Sequence, residues 1–503
     1  MRIRSRVGAL LLVVLALALT SAAFTASARA DAFTPGSRGL GDPFFPDAGN
    51  GGYDVSHYDV QLRYQPKDDH LSGTTTIVAK PTQNLTAFNL DFALNVKSVR
   101  VNGQPAQFKH DGLELSVTPP ATLPQGSLAT FVVEYDGVPS SVEVGGVKPW
   151  VRTADGALAV GQPEISSWWF PGNDHPRDKA TFDIAVAVPD GTEVLSNGVN
   201  TGTSSLAGWT TWKWRTTKPT ASYLAFLTIG QYEINTKTGA NGQPFVTAYS
   251  DKLGEYEGAA KASIERTPEV VEFLSGLFGE YPFEAQGGVV PSEGLGFALE
   301  NQTRPTYSHL FFRRGSNTSV VVHENAHQWF GDSVSVDTWR NIWLNEGFAS
   351  YSEWLWSESQ GTGTAQQLFD HYYSSKPADD PFWQVAPGDP GAANVFHDAV
   401  YDRGAMTLHA LRNVIGDQAL VDITRTWVSE KRYSTGTIEQ FIELAEQKSG
   451  KQLDEFFKAW LFTPGKPAAS PATGVPQSAV RAFVAPPPAV AEIDAAHERV
   501  HAH

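Results

Sequence analysis

His323-Glu324-Asn325-Ala326-His327, with Glu346 nineteen residues beyond the second histidine, is the stretch that most restricts what this chain can build. Residues four apart share one helix face, so both imidazoles can turn towards a single point. The run Ser319-Val320-Val321-Val322 before them and Trp329-Phe330 after them place this helix in a core. Unpaired imidazoles and carboxylates are costly to desolvate there. Glu346, in Trp343-Leu344-Asn345-Glu346-Gly347, opens a second helix that Asn345 is expected to cap. A metal ion resolves the burial of all these groups at once. Two imidazoles and one carboxylate are the ligand set of a catalytic zinc, which keeps a fourth position open for water. Glu324 can reach that water as a general base without being a ligand.

The chain has 503 residues, enough for two or three domains. Arg2, Arg4 and Arg6, the apolar run Val7 to Leu19 and the small-x-small site Ala28-Arg29-Ala30 read as an export signal cleaved after Ala30. That run is short for a membrane span, so a secreted protein with no stable membrane insertion is expected. Without residues 1–30 the chain carries 34 basic against 54 acidic residues, a net charge of −20, which disfavours nucleic acid as a partner. With no cysteine, an exported protein stands without disulfides and a metal site without thiolates. Of the glycosylation patterns at Asn84, Asn301 and Asn317, the second lies inside a motif quoted below, where modification is not expected.

From about residue 50 to 235 the pattern is β. Tyr58, Val60, Leu62 and Tyr64 alternate with polar neighbours, and Asn102-Gly103, Asp111-Gly112, Asp190-Gly191 and Asn197-Gly198 punctuate such runs. Afterwards the period is helical, over Tyr256 to Phe278, the two helices above, Arg403 to Val414 and Thr437 to Phe462. Alanine, proline and valine without a period then predict a disordered tail over 466–503, with His497, His501 and His503 in solvent.

These residues carry a family resemblance. The His323–His327 motif with Trp343-Leu344-Asn345-Glu346-Gly347-Phe348-Ala349 resembles the aminopeptidase N-like gluzincins. Gly296-Phe297-Ala298-Leu299-Glu300-Asn301 resembles their exopeptidase motif, and Tyr401-Asp402-Arg403-Gly404-Ala405 their catalytic-tyrosine segment. Gln162-Pro163-Glu164, Phe170 to Pro176 and Lys179-Ala180-Thr181-Phe182 resemble the stretch that ends their N-terminal domain. The resemblance implies one zinc per chain on His323, His327 and Glu346, with Glu324 as base and then acid. It also implies Tyr401 as the donor to the oxyanion and Glu300, with Glu164, as the holder of a substrate's amino terminus. Gln162 and Asn301 fall among the implied substrate contacts. Phe297 stands where the family usually has glycine and Leu299 where it has methionine. Asp332, Asp337 and Glu353 are candidates to orient the ligand histidines. The tryptophans at 329, 339, 343, 354 and 356 read as core.

The expected architecture is α+β. Residues 1–30 are the signal and 31–49 an extension, and a β-sandwich or saddle-like sheet domain covers 50–235. A thermolysin-like, mainly helical catalytic domain covers 236–465, followed by the tail. The chain ends too soon for the long helical C-terminal domain of larger family members, which implies a short form. The expected activity is a secreted zinc aminopeptidase acting on peptides with a free amino terminus. The rivals are an endopeptidase on the same core and a non-catalytic peptide-binding relative.

Overall fold

The computed structural model describes residues 32–144, 146–239, 242–480 and 485–497. The expected export signal therefore lies outside the described residues, as do His501 and His503. No helix among the described residues is long and apolar enough to cross a membrane.

The first half is β, as its alternation predicts. In Tyr53–Gln65 the side chains of Tyr58, Val60, Leu62 and Tyr64 are all buried, while their neighbours stay at least partly exposed. This strand lies near the centre of the largest sheet, antiparallel to His70–Pro81 and parallel to Lys179–Pro189. The sheet continues on one side through Trp209–Arg215 to Val199–Leu206, and on the other through Ala129–Gly137 to Asn95–Val101. A four-stranded sheet containing Leu85–Asp91 and a second containing Leu227–Gly230 share its apolar core, through Phe88, Leu158 and Ile229 among others. Asn102-Gly103 turns with both residues at positive φ, the requirement of a two-residue hairpin. The β pattern outlasts the expected boundary. Tyr232–Thr238 and Pro244–Ser250 form a hairpin, and Gln286–Val290 adds a parallel third strand from within the helical region.

The second half is helical. Helix α1 (Glu257–Ile264) and α2 (Thr267–Phe278) divide what periodicity reads as one helix, with Pro268 in the first turn of α2. Helices α3 (Thr318–Ala326) and α4 (Trp343–Gln360) carry the histidine motif and Glu346. Helices α5 (Ala365–Ser375), α6 (Gly404–Ile415), α7 (Asp417–Glu430), α8 (Ile438–Ser449) and α9 (Asp454–Phe457) follow. The expected run Thr437 to Phe462 breaks at Gly450, whose φ of 67° ends α8. Asn345 does not cap α4, which begins two residues earlier, at Trp343. Its side chain is buried instead, because the preceding turn Trp339–Asn341 already aims the chain into the helix. All five tryptophans read as core are buried.

The tail differs most from its expectation. Residues 466–480 and 485–497 pack on the helical region and end in α10 (Val490–His497). Lys466 Nζ donates to the Tyr373 and Lys376 carbonyls, the Trp460 indole to the Thr473 carbonyl, and Asn413 to the Gly474 carbonyl. Val490 and Ile493 enter the core. Composition without a period does not reveal anchors that a segment finds on other elements.

Candidate active site

Helix α3 forms inside the core, where Val320, Val321 and Val322 pack and Asn317 caps it by accepting from the Val320 N–H. Its two histidines are held from behind. His323 Nδ1 donates to Glu353 Oε1 at 2.8 Å, and His327 Nδ1 donates to the Phe330 carbonyl at 3.0 Å. Both acceptors are oxygens that cannot donate, so each ring keeps its proton on Nδ1 and turns an Nε2 lone pair forward. These two Nε2 atoms meet Glu346 Oε2 at 3.4 and 3.3 Å. Ligands roughly 2.1 Å from one tetrahedral zinc stand about 3.4 Å apart. Two nitrogens and one oxygen at that spacing, in a chain without cysteine, fit zinc. Burial alone would raise Glu346, but the two imidazoles facing it, His327 first, hold it down at about 2, and a cation among the three side chains pulls the same way.

Glu324 lies on the same helix, and its carboxylate comes within 4.8 Å of the ligand atoms of Glu300 and His327. Burial pushes it up to about 8, against the pull of the two histidines and with Glu300 and Glu346 adding to the rise. A carboxylate with so high a proton affinity is suited to taking a proton from water. Tyr401 arrives from a five-residue π-turn, Ala399–Arg403, ahead of α6, and its ring stacks on His323 at 5.9 Å. The turn is pinned by Arg403, which is fully buried and donates to the carbonyls of Trp383, Val385, Ala459, Trp460 and Thr463.

Glu300 is buried beside His327, whereas Tyr401 packs on His323. Its Oε1 accepts from the Tyr223 hydroxyl at 3.0 Å and from Gln162 Nε2 at 3.3 Å. The β region sets its position. Asn197 Nδ2 donates to the Gln302 carbonyl, the Gly198 N–H donates to Thr303 Oγ1, and Arg304 donates to the Gly198 carbonyl. Gly198 sits at a φ of 73°, where a Cβ would strike the Arg215 carbonyl, so this Asn-Gly turn is also a brace for the Glu300 segment.

A cavity of about 900 Å³ opens on these groups. His323, Glu324, His327, Glu346, Glu300 and Tyr401 all line it, and so does Gln162. Phe297 lines it as well and is exposed. Two expected substrate contacts are not among the lining residues. The Asn301 amide is spent on the Leu224 carbonyl and the Thr306 hydroxyl, which hold the segment's own backbone. Burial first, then the charges of Asp174 and Asp47, push Glu164 up to about 7. Of the three acids expected to orient histidines, Glu353 does so. Asp332 accepts from Gln328 and Asp337 from Arg177. Tyr223, Lys376, Asp494 and His497 enter the site unannounced by any motif.

The chain matches the peptidase M1 N-terminal domain over residues 55–224 and the peptidase family M1 domain over 293–460. It is 25% identical to aminopeptidase N of Lactococcus lactis subsp. lactis over 448 residues, 82% of this chain and 51% of the relative. It is 24% identical to glutamyl aminopeptidase of Sus scrofa, covering 82% of this chain and 47% of the relative. The chain thus spans about half the length of these curated relatives. The crystal structure of an M1 zinc metallopeptidase from Deinococcus radiodurans superposes with a TM-score of 0.76 at 28% identity, covering 86% of this chain and 99% of that one. A mutant of the same protein is known with a Tyr-Ser-Ala substrate bound. With both domains matched in order and His323, His327 and Glu346 gathered between α3 and α4, the chain belongs to the peptidase family M1 of zinc metallopeptidases.

Proposed function

We propose that this protein is an exported aminopeptidase that removes residues from the free amino terminus of peptides. One observation carries the reading: Glu300 is a buried carboxylate facing the ligand set from one side of the cleft, with Tyr223 and Gln162 fixing its orientation. A desolvated carboxylate at that place suits an ammonium group, and a charge-assisted bond to it is strong in a partly dry site. His323, His327 and Glu346 would hold zinc, which when bound would supply a Lewis acid for the scissile carbonyl and for water. Glu324 takes the proton from the attacking water and returns it to the departing amine. Tyr401, opposite, donates to the oxygen on which negative charge grows. Phe297 lines the same cleft as Glu300, so the choice of first residue should respond to its substitution. Export is supported by the n-region, the apolar run and the small-x-small site within residues 1–30; mass analysis of the secreted chain should begin at Asp31.

The test pairs one peptide with a free amino terminus and the same peptide N-acetylated, each with and without a chelator. Chelator-sensitive release of single residues from the free peptide alone is expected, and Glu324→Gln should abolish it with zinc still bound. Internal cleavage of both peptides would replace the reading with an endopeptidase.

A further inference from the structure

The C-terminal segment does more than pack. Glu492 of α10 accepts from the Thr318 and Ser319 N–H groups, and Asn317 donates to the Glu492 carbonyl, so α10 is seated on the amino end of the zinc-binding helix α3. Tyr372 of α5 donates to Asp494 Oδ1 at 2.8 Å. From this seat Asp494, Ala496 and His497 line the cavity, and the His497 ring lies against that of His323.

His497 is held between two carboxylates. Its Nε2 lies 2.7 Å from Glu353 Oε1, the same oxygen that orients His323, and its Nδ1 lies 3.1 Å from Asp402 Oδ1, next in the chain to Tyr401. Carboxylates only accept, so both ring nitrogens donate. The rings of His323, Tyr401 and His497 lie against one another, with centroids between 5.6 and 6.1 Å apart. One imidazole from the end of the chain therefore joins the carboxylate behind a zinc ligand to the turn that presents the oxyanion donor.

We propose that α10 is a built-in wall of the active cleft and that His497 is a positioning residue for the peptidase reaction. It holds Glu353 against His323 and the Asp402 turn against the site, and so fixes the distance between the metal ligands and Tyr401. The seat on α3 makes the wall continuous with the zinc-binding helix. The proposal rests on the peptidase reading for its rate effect, while its effect on zinc is independent of substrate.

The experiment compares full-length His497→Ala and His497→Gln with the parent protein, measuring kcat and KM on a free-amino peptide and zinc retention against a competing chelator. Partners that orient a metal-ligating histidine typically contribute 10- to 100-fold. His497→Ala should lower kcat by roughly that factor with KM within about twofold, and should release zinc about tenfold faster. His497→Gln keeps one donor and should recover part of both losses. Glu492→Gln, which weakens the seat of α10 on α3 and touches no metal ligand, should keep the fold and shift kcat in the same direction by a smaller factor. Unchanged kcat and zinc retention in His497→Ala would overturn the proposal. So would a rise in kcat/KM, since that result makes α10 an obstruction rather than a wall. A parent protein that cleaves neither peptide would sink the peptidase reading, and zinc retention would still decide the role of His497.

Discussion

Glu353 holds three groups with two oxygens: His323 and His497 on Oε1, and the Ser319 hydroxyl on Oε2 at 2.6 Å. Burial opposes its charge, but His497 and His323 draw it down to about 2, so it stays an acceptor throughout the working pH range. Glu353→Gln puts an amide where a full charge faced two imidazole donors. Zinc affinity should fall roughly 10- to 100-fold, as for other groups that orient a ligand histidine. Chelator competition measures it, and retention equal to the parent protein would show that the Phe330 carbonyl behind His327 suffices. Arg403 illustrates a different use of charge: five carbonyls and no carboxylate satisfy its guanidinium, which makes it a rivet between the 383–385 segment and the 459–463 turn.

Two elements, α4 and α6, must approach closely for Glu346 and Tyr401 to face one cleft. They do so where Gly347 meets Gly404. A Cβ on Gly404 would lie 2.8 Å from Trp343 Cδ1 and 2.9 Å from Gly347 Cα. The backbone of Gly404 is helical, so alanine there gains helix propensity and loses only space. Gly404→Ala should cost about 1–3 kcal/mol in urea unfolding, the usual range for overpacking, and should also lower kcat because the displaced turn carries Tyr401. Stabilisation by the substitution would mean that the two helices have room to spare.

The acid limit of the whole molecule depends in part on His409, a core histidine on α6. Its Nε2 faces Gln366 Oε1 at 3.0 Å and its Nδ1 faces the Tyr351 hydroxyl at 3.3 Å. Burial first, then the Arg412 charge, lowers its pKa from 6.5 to about 3. A depressed folded-state pKa gives stability that is complete above about 6.5 and is lost as pH falls towards 3. One such group adds a slope of about 1.4 kcal/mol per pH unit across that window. Urea unfolding at pH 7, 5 and 4 should therefore show a shallower acid slope in His409→Gln than in the parent protein, whatever the level at pH 7. Parallel slopes would place the acid sensitivity elsewhere.

Residues separated by three, four or seven positions were legible from the sequence, because a helix of fixed period decides which of them share a face. His323 with His327, and Glu346 with Glu353, are of this kind, as is the alternation that buries Tyr58, Val60, Leu62 and Tyr64. Glu300, Gln162 and Tyr401 were reachable through motif resemblance, and the structure brings all three to the cavity. The same resemblance also suggested Asn301, whose amide is engaged by the Leu224 carbonyl and the Thr306 hydroxyl, and Glu164, which is not among the residues that line the cavity. What tertiary structure alone decided are contacts between elements far apart in the chain: Tyr223 with Glu300, Gly198 with Thr303, and His497 with Glu353 and Asp402. No local period encodes these. The alanine- and proline-rich end of the chain buries only a few apolar side chains and makes hydrogen bonds to remote carbonyls and N–H groups, so its place in the active cleft is set by the surface it meets.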